Sequence, residues 1–399
     1  MQILILGAGV IGVSTAYELS KSGHDVTVID RKPEPALETS YGNAGLIAPG
    51  HSYAWTTPKL PKNLFKSLYE KQRAFRFTFQ WDLAMWRWGL RFIRQCTKNK
   101  MGENTRRKHR LSIYSQGHLH RLIDETGILY HQNRKGLIYI FRSAKSFLEG
   151  QEKLTLLQPV MENLQLLSRT ELLKLEPALH RMETDIIGGI YCPTDESGSC
   201  RDFTIQLSEI CRDKGVDFHY NTTVTEVIKN GHRIEKVVSD KGNFQADEYV
   251  LSFAAYSPTF SKMVGDYLPI YPVKGYSFTV PIIDMDKAPV HGGIDEDNML
   301  AFSLMGDHIR FTSVAEISGY DTTCTPSDFI NMVELANSLF PDAFDFSQIE
   351  YWAGLRPMTP NGAPIFGRGK MKNLYFNTGH GHLGWTMCTG SARIMADLI

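Results

Sequence analysis

A strand that runs into Gly7-Ala8-Gly9-Val10-Ile11-Gly12 and on into a helix constrains this chain more than any other part of its 399 residues. Residues 2–6 (QILIL) form a continuous apolar run, the pattern of a strand buried on both faces of a parallel sheet. Val13-Ser14-Thr15-Ala16-Tyr17-Glu18-Leu19 has helical periodicity and stops near Gly23, a C-cap signal. Val26-Thr27-Val28-Ile29-Asp30 reads as a second strand, so the chain opens as a βαβ unit. Gly7 permits the tight turn, Gly9 lets backbone approach a pyrophosphate, and Gly12 lets helix and strand pack closely. Ala8, Val10 and Ile11 lead into a helix N-terminus that favours phosphate. Asp30, 18 residues after Gly12, can accept hydrogen bonds from ribose hydroxyls. The unit predicts dinucleotide binding and does not separate NAD from FAD.

Arg31 and Lys32 follow at the strand end and fit two roles, exposed charges or cations near an adenosine or pyrophosphate. Ser40-Tyr41-Gly42-Asn43-Ala44-Gly45-Leu46-Ile47 packs small residues and glycines densely enough for backbone to lie flat along a ligand. A second glycine-rich turn comes more than 360 residues later, Gly379-His380-Gly381-His382-Leu383-Gly384-Trp385-Thr386, and also leads into a helix. Between the two, residues 136–141 and Tyr249–Phe253 read as strands and 103–126 as a polar-faced helix, with another helix around 169–175. Val216–Val227 with Glu235–Ser239 suggests a hairpin. Residues 271–316 alternate apolar and polar, as antiparallel sheet does. Pro326–Phe340 reads as a helix with Ser327 or Asp328 near its N-cap.

Bulk properties exclude several classes. Lys plus Arg (43) balances Asp plus Glu (43), so no net charge argues for nucleic acid. Six scattered cysteines without a CxxC pair read as free thiols in a reducing compartment. His118-x-His120 and His380-x-His382 lack a third ligand at sensible spacing, so no metal is expected. The apolar start has no basic region before it, and no run reaches the ~20 apolar residues of a spanning helix. These features predict a cytoplasmic protein, attached at most to the inner face of the cytoplasmic membrane. Residues 59–100 stand apart, with 11 Lys/Arg against two acids among Phe65, Tyr69, Phe75, Phe77, Phe79, Trp81, Trp86, Trp88 and Phe92. That segment fits either contact with a membrane surface or a helical excursion packed on the main body.

The segments GAGVIGVSTAYELSKSGHDVTVIDR, ETSYGNAGLIAPG, CRDFT, PVKGYS, AGLRPMTPNGAPIFGR and NTGHGHLGWTMCTGSARIMADLI together resemble the FAD-dependent D-amino acid oxidase superfamily. The likeness runs from residue 1 to 399 and is nearest to the bacterial D-amino acid dehydrogenase small subunits. It implies a mixed α/β (α+β) fold of the glycine-oxidase kind, a Rossmann-like FAD-binding domain interleaved with an antiparallel-sheet substrate domain. Residues 1–58, 150–260 and 350–399 are assigned to the first domain; 59–149 and 261–349 are assigned to the second. Relatives of this kind continue somewhat beyond the position of Ile399, which suggests that the natural C-terminus is missing.

The resemblance also implies roles. Ser40, Asn43, Ala44, Gly45 and Leu46 would border the pyrophosphate and flavin, and Val224 the adenine. Gly379, Gly381, His382, Leu383, Gly384, Trp385 and Thr386 would lie beside the flavin's pyrimidine edge. Arg356, in the GLRPMTPNG segment, matches the arginine that grips a substrate carboxylate, a task suited to a planar guanidinium. With no cysteine in that segment, FAD is expected to be non-covalent. The chain departs from the pattern at His382, where relatives often carry a smaller residue. That histidine fits carboxylate binding, flavin tuning or a structural role. It departs again at Ala254 and Ala255, where many relatives have a glycine. Tyr276 and the stretch near Met299 are candidate side-chain walls. The implied activity is oxidation of small or cyclic D-amino acids, such as D-alanine or D-proline, with electrons passed to a quinone-type acceptor. The alternatives are an oxygen-using glycine, sarcosine or D-amino acid oxidase, and a non-catalytic flavoprotein sensor.

Overall fold

The computed structural model describes residues 1–60, 75–78, 81–157 and 163–399. Two sheets organise it. The first has six strands in the order Ile365–Arg368, Leu374–Thr378, Glu248–Leu251, Gln2–Leu6, Asp25–Ile29, Asp217–His219. All its pairings are parallel except that of the edge strand Ile365–Arg368. Ile3, Leu4, Ile5 and Leu6 are buried because helices cover one face of this sheet and a small three-stranded sheet (Val224–Asn230, Arg233–Ser239, Gly242–Phe244) helps cover the other. The helix Val10–Lys21 packs on one face beside the C-terminal helix Gly384–Leu398 and the long helix Lys98–Thr126. Gly390 lets the last two cross closely, since a Cβ there would sit 2.8 Å from the Cα of Ser115.

The second sheet has nine strands. Eight run in the order Glu350–Met358, Tyr271–Pro281, His308–Ile317, Leu300–Met305, Gly292–Asp295, Leu137–Phe141, Gly188–Cys192, Gln165–Ser168, and the short Phe75–Phe77 pairs with the end of His308–Ile317. Its pairings are antiparallel apart from Gly292–Asp295 on Leu137–Phe141 and Phe75–Phe77 on its neighbour. Phe278, Phe302, Phe311, Phe329 and Phe340 form the centre of its core.

The strand and helix expectations around 136–141, 169–175, 249–253 and the C-terminus coincide with observed elements. One other needs correction, and two are given in finer detail. The run Val216–Val227 is not one hairpin arm: Asp217–His219 pairs with Asp25–Ile29 in the first sheet, and only Val224–Asn230 pairs with Arg233–Ser239. The helix after Pro326 begins as a 3₁₀ turn capped by Thr325, with Asp328 returning the bond to the Thr325 backbone, and becomes α-helical at Ile330. Residues 165–168, 188–192 and 350–358, which lie in ranges assigned from sequence to the FAD-binding domain, belong by hydrogen bonding to the nine-stranded sheet. We propose that the division between the two regions follows the sheets at those strands.

Candidate active site

One cavity of about 1210 Å³ runs from the glycine turn of the first sheet to the face of the second. That exceeds the ~300–1,000 Å³ typical of a small-ligand pocket and leaves room for a dinucleotide with a small acid beside it.

At one end, Gly7 has φ +117° and lies so close to the strand end that a Cβ would sit 2.8 Å from the Ser252 carbonyl oxygen. Gly12 faces back under the turn, where a Cβ would lie 1.8 Å from the Gly7 oxygen; this is the helix–strand packing glycine. Gly9, Val10 and Ile11 line the cavity, and Val10 N donates to Ser40 Oγ at 3.0 Å. Asp30 lines it too. Its two carboxylate oxygens accept from Ala8 N and Lys32 N at 2.7 and 2.8 Å, so the side chain is held by backbone with further lone pairs for a ribose. Burial raises its pKa, against the pull of those two bonds. Arg31 lines the same end, but its charge is engaged: it donates to Glu38 and stacks 3.9 Å over the Tyr256 ring. Val224 is also at the wall, at the start of a strand whose pairing slips between it and Glu226.

The middle of the cavity is a flat backbone run. Asn43, Ala44, Gly45 and Leu46 line it. Gly45 N donates to Asn43 Oδ1 at 2.9 Å, and Ser303 Oγ donates to the Ala44 oxygen at 2.7 Å. Gly45 has φ +70°, and a Cβ would collide with Met305 and Ser303. Gly381, His382, Leu383, Gly384 and Trp385 approach from the other side, where the helix Gly384–Leu398 begins. The unpaired N–H groups of its first turn give this wall a positive end.

Four predicted residues support the cavity without lining it. Ala8 N holds Asp30, Gly12 packs the turn, Gly379 (φ +78°) shapes the second turn, and Thr386 Oγ1 accepts from Ala48 N while donating to the Leu46 oxygen. Tyr276, a candidate wall, is not at the cavity. Successive side chains of a strand alternate faces, and on Tyr271–Pro281 the cavity face belongs to Gly275. The Tyr276 ring packs on Phe329 in the core, and its hydroxyl donates to Glu316 at 2.6 Å. Met299 does line the cavity, with φ +53°.

Arg356 reaches the cavity from Glu350–Met358, its guanidinium lying flat over Gly275, where a Cβ would meet Cζ at 2.4 Å. Nη1 donates to the Val314 oxygen at 2.8 Å and to the Lys274 oxygen at 3.4 Å. Among the described residues no carboxylate pairs with it, and burial lowers its pKa to about 10. His382 stacks on Trp55 with ring centres 4.6 Å apart. Burial, together with the positive charges of Lys108 and Arg356, holds the His382 pKa well below the usual histidine value, so the ring is neutral. Lys108, wholly buried, donates to the Tyr53 oxygen at 2.6 Å, and burial pulls its pKa to about 7.

Sequence reasoning missed His51, Tyr53, Trp55 and Glu296, which all line the cavity. The readable signal was the aromatic alternation of His51-Ser52-Tyr53-Ala54-Trp55 just after the glycine-rich run; nothing marked Glu296.

The residues fit FAD by one more observation. Ser252 Oγ, Thr312 Oγ1, Asn377 Oδ1 and Trp385 Nε1 are buried at the cavity wall without a protein hydrogen-bond partner. Buried polar groups are seldom left unsatisfied, so these atoms suit a polar, elongated ligand.

The sequence profile of the family described as FAD dependent oxidoreductase matches residues 2–398. A D-amino acid dehydrogenase 2 of Mesorhizobium japonicum is 41% identical over 400 residues, covering 100% of this chain and 96% of the relative. A D-amino acid dehydrogenase of Agrobacterium fabrum is 41% identical over 399 residues with the same coverage. Among solved structures, the glycine oxidase from Geobacillus kaustophilus superposes with a TM-score of 0.78 at 21% identity, covering 99% of this chain and 93% of that one. The L-proline dehydrogenase from P. horikoshii gives 0.73 at 17% identity, covering 100% and 92%. At such identities the structures establish a shared fold.

Proposed function

The chain belongs to the FAD-dependent oxidoreductase family, and from that premise we propose that it is a D-amino acid dehydrogenase. The observation that carries this reading is Arg356: a guanidinium facing the cavity, braced by two backbone oxygens, with no carboxylate partner among the described residues. A charge so placed suits the carboxylate of an α-amino acid. The relatives named D-amino acid dehydrogenase at about 40% identity support the choice of substrate class.

FAD, when bound, supplies the two-electron acceptor for the substrate's Cα–H bond, and the imino acid released hydrolyses to a 2-oxo acid and ammonia. The chain's own residues do the rest. Asp30 would hold the ribose, while Ser40 and the Gly9–Ile11 turn would hold the pyrophosphate. The Leu383–Gly384 helix end would face the flavin's pyrimidine edge. Nε and Nη2 of Arg356 would clamp the carboxylate in two parallel bonds and so fix which face of Cα is presented. His382 stays neutral, so it adds no competing cation beside the clamp, and its stacking on Trp55 helps exclude water.

The substrates we favour are small or cyclic D-amino acids, and the acceptor a quinone at a membrane surface. Support for the second point comes from the helix Leu83–Ile93. Met85, Trp88 and Phe92 bury one face, and the Trp88 ring nitrogen donates to the Met358 oxygen. On the opposite face Leu83, Leu90 and Ile93 are 74%, 58% and 49% exposed, beside exposed Arg87, Arg91 and Arg94. Apolar residues flanked by arginines suit an anionic bilayer surface. Among the described residues no helix is long and apolar enough to cross a membrane. Phe65, Tyr69 and Phe79, also singled out in the sequence, lie outside the described residues.

The test is anaerobic addition of D-alanine, D-proline, glycine and L-alanine to the yellow holoprotein. Bleaching by the D-amino acids and not by L-alanine is the expected result; a spectrum unmoved by all four refutes the reading. Hydrogen peroxide formed in stoichiometric yield during aerobic turnover would assign the enzyme to the oxidases instead.

A further inference from the structure

We propose that His51 accepts the proton that the substrate's ammonium group must lose, with Glu296 as the residue that positions and balances it. The inference rests on the amino-acid reading above and adds to it a group that neither the sequence motifs nor the relatives assign.

The segment His51–Trp55 brings three rings to the cavity, with Ala54 lining it between the last two. His51, Tyr53 and Trp55 line it, while Ser52 and Thr56 are buried behind. Trp55 stacks on His382, and the Tyr53 ring meets the His51 ring edge-on at 5.4 Å. The row of rings therefore leads from the second glycine turn to His51. His51, His382 and Arg356 line the same cavity.

His51 is held on two sides. Its ring stacks on Tyr139 at 4.7 Å and 18°, and Nε2 lies 2.5 Å from Glu296 Oε1. Tyr139 is itself pinned, its hydroxyl donating to the buried Asp195 at 2.7 Å. Nδ1 has no hydrogen-bond partner among the described residues. In the neutral ring Nε2–H donates to Glu296, which leaves Nδ1 as a free acceptor; a carboxylate fixing one nitrogen so that the other can take a proton is the logic of a catalytic histidine.

Lys108, with its pKa near 7, is committed to the Tyr53 oxygen and does not line the cavity, and the remaining titratable groups at this end do not suit the task. His382 is held neutral by burial and nearby cations and is a weak base, and His380 is pushed to about 3 and is bound to Ser391. Burial raises the Tyr53 hydroxyl, which keeps its proton. Lys153 is 3.8 Å from Glu296 and adds positive charge there. Glu296 is anionic, pulled down to about 2 by His51 and Lys153 against the opposing effect of burial. In the step itself one N–H bond of the substrate ammonium breaks and one N–H bond forms at Nδ1. The charge gained by His51 is balanced by Glu296, and the amine is left with the lone pair that the later loss of Cα–H requires.

The test uses holoenzyme, His51→Gln and Glu296→Gln, with flavin content and far-UV circular dichroism checked for each. Anaerobic bleaching by D-alanine is followed from pH 6 to 10. His51→Gln should slow bleaching at pH 7 by ~10²–10⁴-fold, the range of a lost general base. The deficit should close as alkali deprotonates the free substrate. Glu296→Gln should fall between it and the parent. A binding arm uses 2-aminoisobutyrate, an ammonium carboxylate with no α-hydrogen to lose, and 2-hydroxyisobutyrate, which has no amine. Affinity for the first should rise with pH, and the second should not follow that rise; in His51→Gln the difference vanishes. A bleaching deficit equal at every pH, or identical pH dependence for both ligands in the parent protein, overturns the proposal. The binding arm on the parent decides the matter even if a variant does not fold. Failure of every D-amino acid to bleach the parent would refute the D-amino acid reading, whereas normal bleaching with an unchanged His51→Gln profile refutes the proton acceptor alone.

Discussion

Arg356→Met separates carboxylate recognition from every other role of that side chain. Nη1 is committed to the Val314 and Lys274 oxygens, and the flat face lies over Gly275, so Nε and Nη2 are the donors left for a ligand. Two charge-assisted bonds from these donors contribute ~1.5–3 kcal/mol each. Losing both amounts to ~3–6 kcal/mol, a fall of ~10²–10⁴-fold in kcat/KM. Arg356→Lys keeps a point charge without the fork and should lose about half that energy, roughly 10–10²-fold. The Val314 carbonyl also loses its donor in the methionine variant, costing ~1–3 kcal/mol of stability that appears as a lower Tm and not as a substrate effect. The assay compares D-alanine with D-alaninamide, using a dye acceptor and kcat/KM per bound FAD. The parent should favour D-alanine by the full factor, and Arg356→Met should be nearly indifferent between the two. An equal loss on both compounds would falsify the clamp.

Three further outcomes follow from the same geometry. Gly12→Ala places a Cβ 1.8 Å from the Gly7 oxygen, so the turn must open, and the purified protein should carry little FAD by its visible spectrum; full flavin content would show that the turn can shift at no cost. Ala254→Gly should raise Tm by about 1–2 °C, because Ala254 has φ +48° and the left-handed cost of ~1–2 kcal/mol outweighs the ~0.5–1 kcal/mol entropy penalty of glycine; a lower Tm refutes the strain. Burial raises the Asp195 carboxyl to about 6, so the folded state holds this proton more tightly than the unfolded chain does. Its stabilising contribution is complete below about pH 4 and is lost as pH rises through 6. Thermal scans of Asp195→Asn should show a flatter Tm between pH 4 and 7 than the parent; parallel curves refute the assignment.

What could be read from sequence was what depends on local backbone demands. Gly7, Gly12, Gly45 and Gly381 each sit where a Cβ would collide or where φ is positive, and such requirements leave a mark at one position in the chain. Ala254 belongs to the same class: an alanine where the resemblance leads one to expect a glycine occupies left-handed backbone. Arg356 was legible because its segment is distinctive. Tyr276 shows where this kind of reading ends. Alternation predicts that Gly275 and Tyr276 point to opposite faces, yet residues 271–278 are all buried, so no polar face reveals which side meets the ligand. The cavity belongs to the smaller residue, Gly275, and not to Tyr276. The division of Val216–Val227 between two sheets was hidden for a similar reason, because a three-residue edge strand carries no period of its own. His51 and Glu296 lie 245 positions apart in the chain and meet at 2.5 Å only because Gly292–Asp295 pairs in parallel with Leu137–Phe141, whose Tyr139 stacks beneath the His51 ring. Chemistry built this way depends on sheet register, and a change that slipped this register would separate the pair while leaving every glycine motif unaltered.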